Sequence, residues 1–374
     1  KYNDIKTVAN IKVTNAGTII GNGGAGIKNQ VAFGFNNFDT STNNTRTEMI
    51  NEGNISLNAE ESAGIQLRPE NPNADGNTSN TRGLNMMTAY NAPTGKIDIN
   101  NTGSFGMLTV KNKDNSGNLA APKTYSNYNV TTSPGGQIAS RAQEENMSYM
   151  KNTGTINVAG DSSIGIGHLH NIQGVYAGGT INVTGNSSVG VYTEVPTRPV
   201  WLADTDADSD ADTDADADNR TLGKINVTGT KSYGAVLEGV KLDLEENTEI
   251  NVTGKESIGY VLKKGTGSNK GKIEVTGPAT NIATTSSLGF YGNQGTFTNE
   301  EEGKIYSSGT VAHAVALAGD TTGITFNNKG EIKTAGAGNI GVYADGKYTF
   351  NHSGNHAVIN VGTDTVGIYA KNAD

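Results

Sequence analysis

Aspartate occupies every second position between Asp204 and Asp218. Carboxylate oxygens at i, i+2 and i+4 are hard ligands that suit Ca²⁺, and they resemble the start of a calcium-binding loop. The glycine turn and distal glutamate of an EF-hand do not follow, and the glycine-rich repeat of calcium-binding β-rolls is also absent. We interpret the run as a solvated low-complexity loop, with weak calcium binding or attraction of a basic partner as the alternatives. The weak calcium site would use Asp204, Asp206, Asp208, Asp210 and Asp212.

Residues with catalytic chemistry are otherwise few. His168 and His170 would share one strand face, but no third metal ligand is recognisable, so an exposed polar pair is the simpler interpretation. Neither a Gly-Asp-Ser-Gly segment nor a Gly-x-Ser-x-Gly elbow occurs. Charged residues that could build a glycan-cleaving groove are confined to long segments between repeats: Arg68, Asp75, Arg82, Lys123, Arg141, Glu144 and Glu145. We therefore predict a protein that is not an enzyme and needs no cofactor.

Composition excludes several further classes of protein. The 374 residues contain no cysteine, which rules out disulfides and thiolate chemistry. No apolar run approaches the roughly 18 residues of a membrane-spanning helix. The net charge of -9 comes mostly from the aspartate run, and no basic cluster indicates nucleic-acid binding. The 50 glycines and 34% hydrophobic content suit many tight corners around a thin core.

A short phrase, Gly-Lys-Ile-Asn-Val-Thr-Gly at 223–229, recurs along the chain. Close copies begin at Gly154, Gly179, Gly271, Gly303 and Gly330, and looser copies lie at Ile11, Gly53, Gly95, Ile250 and Ile359. Copies without an insertion between them are about 25 residues apart, and a fixed period in this range is typical of a solenoid. Within each copy apolar and polar residues alternate, which predicts a half-buried strand.

A second phrase follows most copies after a short polar turn. It reads Ser-Ile-Gly-Ile at 163–166 and recurs around Val189, Ile258, Leu288, Ile340 and Val366. We interpret it as the next strand of the same coil, in which the glycine marks a bend or a close backbone approach. About eleven copies at about 4.8 Å per coil predict a rod roughly 50 Å long. The predicted fold is all-β: a single-chain right-handed parallel β-helix that extends over residues 1–374.

The tandem phrases resemble the passenger domains of large bacterial type V autotransporters and are closest to the giant fusobacterial outer-membrane adhesins. The resemblance covers roughly Ile5 to Lys371 apart from the insertions, and we expect the chain to be a segment of a longer passenger. It implies secretion, a position on the outer membrane facing outwards, and a role in adhesion and virulence. Membrane attachment would be through a C-terminal β-barrel outside this sequence. The family shares no catalytic residue that could be carried over.

Four steps between repeats are much longer than the basic period. The extra residues are 28–49, 68–94, 110–152 and 194–222, and each group follows a second phrase. The same point in successive coils occupies the same corner of a solenoid. We therefore predict that the four insertions protrude side by side from one corner, where insertions often form the binding face.

These insertions hold an unusual share of the aromatic residues: Phe33, Phe35, Phe38, Tyr90, Tyr125, Tyr128, Tyr149 and Trp201. Aromatic side chains anchor protein partners and provide platforms for sugar rings, while local clusters that pin the loops to the rod are the alternative. We predict a monomeric cell-surface adhesin segment that binds a glycan or protein receptor on a host or bacterial cell. A non-binding structural stalk and a polysaccharide-degrading β-helix enzyme are the other two interpretations.

Four tyrosines occupy equivalent places in the second phrase: Tyr192, Tyr291, Tyr343 and Tyr369. They indicate either packing from coil to coil or a sugar-binding stripe. The sequence leaves open whether this column faces the core or the solvent, because the adjacent glycine can shift the alternation.

Overall fold

The computed structural model describes residues 9–24, 26–36, 45–68, 86–109, 149–169, 174–194, 199–201, 223–279 and 286–371. In these ranges every regular element is a β-strand, and the strands pair in parallel to form two long sheets. The same ranges contain no helix with the length and apolar character needed to cross a membrane. The predicted all-β fold, a parallel β-helix, is confirmed.

Face 1 of the rod is an eleven-stranded sheet built from the Ile-x-Val phrases. Its strands are β2 (Thr18–Gly21), β5 (Asn54–Leu57), β8 (Lys96–Ile99), β11 (Thr155–Val158), β14 (Thr180–Val183), β17 (Lys224–Val227), β19 (Glu249–Val252), β21 (Lys272–Val275), β24 (Lys304–Ser307), β26 (Glu331–Thr334) and β28 (Val358–Val361).

Faces 2 and 3 together form the second sheet. Face 2 contains the second phrase, in β3 (Val31–Asn36), β6 (Ala63–Arg68), β9 (Phe105–Thr109), β12 (Ile164–His168), β15 (Val189–Thr193), β22 (Ser287–Gly292) and β29 (Val366–Lys371). Face 3 contains β1 (Ala9–Asn15), β4 (Thr45–Asn51), β7 (Met86–Asn91), β10 (Tyr149–Asn152), β13 (Gly174–Ala177), β16 (Pro199–Trp201) and β23 (Gly295–Asn299). Four longer strands turn from face 2 to face 3 without a break: β18 (Tyr233–Leu244), β20 (Ile258–Asn269), β25 (Ala312–Asn328) and β27 (Ile340–His352). Each coil therefore passes through face 3, face 1 and face 2 in turn.

The core consists of ladders in which one residue type stacks on itself. Ile156 pairs with Ile181, and Ile181 pairs with Ile225; all three side chains are at most 1% exposed. Full burial of each such side chain contributes about 2 kcal/mol. Since strand registry places every inward residue above its counterpart, a thin core is sufficient to hold the coils together.

The face 2 glycine sits at a bulge where the chain turns close to face 1. Ile164 pairs with Val189 and Ile166 pairs with Val191, while Gly165 between them is unpaired. A Cβ atom on Gly165 would lie 2.6 Å from the carbonyl oxygen of Gly190, so the close approach requires glycine. The bulge turns two consecutive positions inward and shifts the alternation along the rest of the strand.

Polar ladders close two of the corners. Before face 2, the backbone N–H of Ser188 donates to Ser232 Oγ (3.2 Å), whose hydroxyl donates to the Gly185 carbonyl (2.8 Å). At the end of face 3, Asn269 Nδ2 donates to Asn299 Oδ1 (2.7 Å), and Asn299 Nδ2 donates to Asn328 Oδ1 (2.9 Å). These serine and asparagine side chains therefore hydrogen-bond from coil to coil, although Asn152 Nδ2 and Asn269 Oδ1 in the asparagine ladder have no partner among the described residues.

Candidate binding surface

Three predicted insertions leave and rejoin the rod at the corner between faces 2 and 3. Strand β3 is followed by β4 after residues 37–44, β6 is followed by β7 after residues 69–85, and β9 is followed by β10 after residues 110–148. We call this corner, defined by the ends of those six strands, the display corner. The strands belong to successive coils, so the three attachment points are stacked at about 4.8 Å intervals.

The predicted bounds of the insertions are too wide. The ranges 28–49, 68–94 and 110–152 include residues of β3, β4, β7 and β10, which pair within the second sheet. The strands of face 3 could not be recognised in the sequence, because they lack a repeated phrase. The segments left between the described strands, 37–44, 69–85 and 110–148, are shorter than the predicted insertions.

The fourth insertion was predicted to leave the rod at the same corner as the other three, but the strands place most of it at a different corner. Strand β16 lies within 194–222 and pairs with β13, through Val175 with Val200 and Tyr176 with Trp201. Residues 202–222 therefore follow face 3 and precede face 1, one corner further along the coil. The sequence did not reveal this because a three-residue strand carries almost no periodic signal. The aspartates proposed as weak calcium ligands, Asp204, Asp206, Asp208, Asp210 and Asp212, lie outside the described residues.

The predicted aromatic binding residues divide into three groups. Phe33 is partly buried and packs against the core from β3, which corrects its assignment to a loop surface. Phe35, Tyr149 and Trp201 occupy strands β3, β10 and β16 rather than loops. Phe38, Tyr125 and Tyr128 lie outside the described residues.

Tyr90 belongs to a column on the outer side of face 3. Its register neighbour is Lys151, which pairs in turn with Tyr176 in the next coil; the Tyr176 side chain is buried, and its backbone pairs with Trp201. Lys151 Nζ lies 5.7 Å from the centre of the Tyr90 ring, a cation–π distance. Thr153 Oγ1 donates a hydrogen bond to the Tyr90 hydroxyl at 3.0 Å. Lys151 and Tyr176 carry no repeated signal in the sequence, because the register of their short strands appears only in the fold.

The tyrosine column of face 2 lies on the outer side of the rod. Val191 and Val342 hold the inward positions and are fully buried, while Tyr192 and Tyr343 follow them and are partly exposed. The rings of Tyr343 and Tyr369 stack at 5.7 Å with 11° between their planes. The glycine bulge therefore explains why the tyrosine side chains of face 2 point away from the core.

Tyr192 lies in the most polar part of this column. Its hydroxyl donates to Glu194 Oε2 (3.3 Å) and to Glu238 Oε2 (3.2 Å), and Lys263 Nζ forms an ion pair with Glu238 (3.1 Å). Burial and the two carboxylates raise the pKa of the Tyr192 hydroxyl well above its ordinary value. The hydroxyl therefore remains protonated, and its single proton is shared between the two carboxylates.

The histidines do not form a site in the described part of the chain. His168 is fully buried and its Nδ1 lies 3.2 Å from Thr193 Oγ1, which corrects the expectation of an exposed polar residue; His170 lies outside the described residues. His313 is 2% exposed, and its Nδ1 accepts the backbone N–H of Ile340 at 3.0 Å. Among the described residues, no group of three His, Asp or Glu side chains could hold a metal ion.

Comparison with known proteins gives one match. Residues 215–373 match a family model described as the BigA third pectate lyase-like domain. The match covers less than half of the chain and includes all the long strands that turn from face 2 to face 3. No curated protein and no solved structure shows significant similarity to the chain. The C-terminal coils are thus similar in sequence to a pectate lyase-like domain, and their parallel β-helix agrees with that description.

Proposed function

We propose that this chain is an adhesive segment of a bacterial surface protein, in which the rod holds binding loops in fixed relative positions. The observation that carries the proposal is the display corner, where three segments are attached in successive coils. Loops on a rigid scaffold are the usual place for binding function. Neighbouring loops also allow several weak contacts to act together on one receptor.

The proposed ligand is a glycan or protein receptor on a host or bacterial cell. Tyr90 and Lys151 provide an aromatic ring and a cation on face 3. The other proposed contributors are Phe38, Tyr125, Tyr128, Tyr149 and Trp201. Aromatic rings bury a large area and form directional contacts with partners, so they are suitable anchors for either class of receptor.

The proposed location is the bacterial cell surface, with attachment to the outer membrane as an autotransporter passenger. The similarity of residues 215–373 to a BigA domain and the lack of cysteine support this location. A pectate lyase-like fold is not by itself evidence of catalytic activity, because proteins with unrelated functions can share one fold. We therefore propose binding without turnover and no required cofactor, with weak calcium binding by the aspartate run as an accessory property.

The test replaces the display loops without changing the strands. The chain supplies a template, because residues 169–173 connect β12 to β13 at the same corner. Residues 69–85 and 110–148 would each be replaced by a copy of that five-residue sequence. The matched control replaces residues 280–285, which lie within the connection from β21 to β22 at a different corner, with a Gly-Asn turn.

Binding would be measured on target cells and on a glycan array, with circular dichroism to verify the rod. We expect the display-corner variant to lose at least about tenfold in affinity while the control variant binds like the unmodified chain. Equal binding by all three proteins would refute residues 69–85 and 110–148 as the binding element. Absence of binding by all three would support the structural stalk instead.

A further inference from the structure

The outer side of face 2 is apolar over six successive coils, from β15 to β27. Strand register aligns one outer residue of each coil into a column: Tyr192, Val236, Val261, Tyr291, Ala316 and Tyr343. A second outer column, before the bulge glycine, adds Val189, Tyr233 and Ile258. A sheet side that faces water normally carries polar residues. No described strand packs against this side, so the apolar columns form a candidate contact surface.

The tyrosine rings are the accessible part of this surface, which we call the tyrosine stripe after Tyr192, Tyr291 and Tyr343. These three side chains are half-buried, whereas Val236 and Val261, between the first two, are 4% and 5% exposed. Three coil steps separate Tyr192 from Tyr291 and two separate Tyr291 from Tyr343, which correspond to about 14 Å and about 10 Å along the rod. The stripe therefore presents rings at intervals along the rod axis, above an apolar floor.

The dimensions of the tyrosine stripe fit a linear glycan better than a protein. Five coil steps and the three-residue spacing of the two columns give a surface of about 24 Å by about 10 Å, or about 240 Å². A stable protein interface buries roughly 800 Å² on each partner. A chain of pyranose rings is long and narrow, and rings with equatorial hydroxyls present flat C–H faces that pack on aromatic side chains. The hydroxyls of such a chain then reach polar groups at the edge of the stripe.

Both ends of the tyrosine stripe carry polar groups that suit a sugar. The Tyr192 hydroxyl donates to Glu238, whose carboxylate pairs with Lys263 at 3.1 Å. At the other end the Tyr343 hydroxyl donates to Asp345 Oδ2 (3.4 Å), which is likewise paired with a lysine. The side chains of Glu238 and Lys263 are 44% and 51% exposed, so both can exchange hydrogen bonds with sugar hydroxyls. A ring beside a fixed carboxylate can therefore bind the C–H face and the hydroxyls of one sugar together.

The charge around Tyr192 disfavours acidic sugars. Two carboxylates, those of Glu194 and Glu238, share one ammonium group, that of Lys263, so this end of the stripe carries a net negative charge. An anionic sugar on the Tyr192 ring would be repelled by the uncompensated carboxylate. The two lysines at the corner before face 2 already have a carboxylate partner in Glu256. The electrostatics therefore favour a neutral ligand.

We propose that the tyrosine stripe binds a neutral linear glycan, built of sugars with equatorial hydroxyls, that lies along the rod. The site is separate from the display corner and does not rest on the function proposed for its loops. The rings of Tyr192, Tyr291 and Tyr343 contact successive parts of the glycan. Glu238 and Asp345 accept hydrogen bonds from its hydroxyls. Because the stripe follows the coils, a longer glycan contacts more tyrosines, and affinity should rise with glycan length.

Calorimetric titration of the 374-residue chain with cellohexaose and with chitohexaose measures this binding. Tyr291→Ala removes the central ring and should weaken binding at least about tenfold, whereas Tyr291→Phe keeps the ring and should bind like the unmodified chain. Tyr306→Ala is the matched control, because Tyr306 is half-buried on the outer side of face 1, and it should leave the affinity unchanged. The proposal is overturned if the unmodified chain binds neither oligosaccharide, or if Tyr291→Ala binds as tightly as the unmodified chain.

A matched ligand tests the preference for neutral sugars. Cellohexaose oxidised to carboxylates at C6 keeps the rings and linkages, and it should bind the unmodified chain at least about tenfold more weakly than cellohexaose. Glu194→Gln combined with Glu238→Gln should bring the two ligands to similar affinity, while tighter binding of the oxidised ligand by the unmodified chain would contradict the proposal. The display-corner variant should bind cellohexaose like the unmodified chain. Loss of binding in that variant would assign the sugar contact to the loops instead of the stripe.

Discussion

His313 is a titratable side chain buried in face 2. Its position is equivalent to those of Leu288 and Ile340 in the adjacent coils, and its Nδ1 accepts a backbone N–H from Ile340. Burial lowers the pKa of His313 to about 4. The neutral imidazole is therefore the form that the folded chain accommodates, and protonation opposes folding.

This shift predicts a specific acid sensitivity. An unfolded histidine has a pKa of about 6.5, so between about pH 6.5 and pH 4 the unfolded chain binds a proton that the folded chain excludes. The free energy of unfolding should fall with decreasing pH across this window, by up to about 3 kcal/mol. Urea unfolding at several pH values would measure the slope, and His313→Leu should remove this part of it.

The exposed His356 provides the control for that measurement, since it lies on the surface 3.5 Å from Glu301. His356→Leu should leave most of the pH slope between 6.5 and 4 in place. If both variants retain the full slope, carboxylates rather than His313 account for the acid sensitivity.

At the scale of the element, the face 3 strands depend on the amide ladder at their end. Asn299 is fully buried, accepts from Asn269, and donates to Asn328 and to the Gly303 carbonyl (3.2 Å). An aspartate at this position would place a carboxylate opposite two oxygen acceptors in a buried column. The loss of the amide donors and the burial of a charge both lower the free energy of unfolding.

We therefore expect Asn299→Asp to lower the free energy of unfolding at neutral pH by about 3 kcal/mol or more. Chemical denaturation followed by circular dichroism would measure it. Asn327→Asp is a matched control in the next coil, because Asn327 pairs with Thr298, the residue before Asn299, and is partly exposed on the outer side of the same face; it should change stability by less than about 1 kcal/mol. Equal effects of the two substitutions would show that the asparagine ladder does not contribute more to the free energy of unfolding than an exposed position of the same face.

The sequence predicts faces 1 and 2 well and face 3 poorly, for a physical reason. The first inward position is Ile in all eleven strands of face 1 and the second is most often Val, so this repetition can be recognised in the sequence. Inward positions of face 3 range from Ala89 to Met150 to Phe297, so no phrase recurs. The recurring signal in face 3 is the terminal asparagine of Asn51, Asn91, Asn152, Asn269, Asn299 and Asn328, whose role appears only once the coils are stacked.

The candidate site was predictable only in outline for the same reason. Long steps between repeats showed where residues leave the coil, but the exact corner depends on strands as short as β16. Phe33 illustrates the difficulty: an aromatic residue next to a long insertion is equally compatible with a loop and with the end of a core ladder. Tyr90, Lys151 and Tyr176 are far apart in the sequence and become neighbours only through the register of β7, β10 and β13.

At the scale of the whole molecule, the two halves of the rod have different cores. The C-terminal coils contain a continuous aromatic stack in which Tyr260, Phe290, Phe297 and Phe326 are fully buried with ring centres 4.2–5.9 Å apart. Their faces 2 and 3 are joined by long strands, so fewer residues leave the coil. Greater buried area per coil and fewer interruptions should make this half the more stable one.

A fragment that contains residues 223–374 should therefore fold without the rest of the chain, because neighbouring coils supply most of the stabilising contacts in a solenoid. We expect it to retain strand circular dichroism and a cooperative thermal transition. The fragment of residues 1–201 should melt at a lower temperature or lack a cooperative transition. A higher melting temperature for the N-terminal fragment would contradict the importance of the aromatic stack.

The in-register stacking of equivalent residues also makes whole coils interchangeable. The backbone N–H of Glu249 bonds to the carbonyl of Gly223, and Glu249 stacks directly above Lys224. Excision of 224–248 at the gene level would therefore join two equivalent points and present the same Ile and Val ladders to both neighbours. Unequal recombination between such copies would change the reach of the molecule in steps of about 4.8 Å while keeping the Ile and Val ladders of face 1 continuous. Length in this protein is thus a quantity that evolution can adjust separately from what the surface binds.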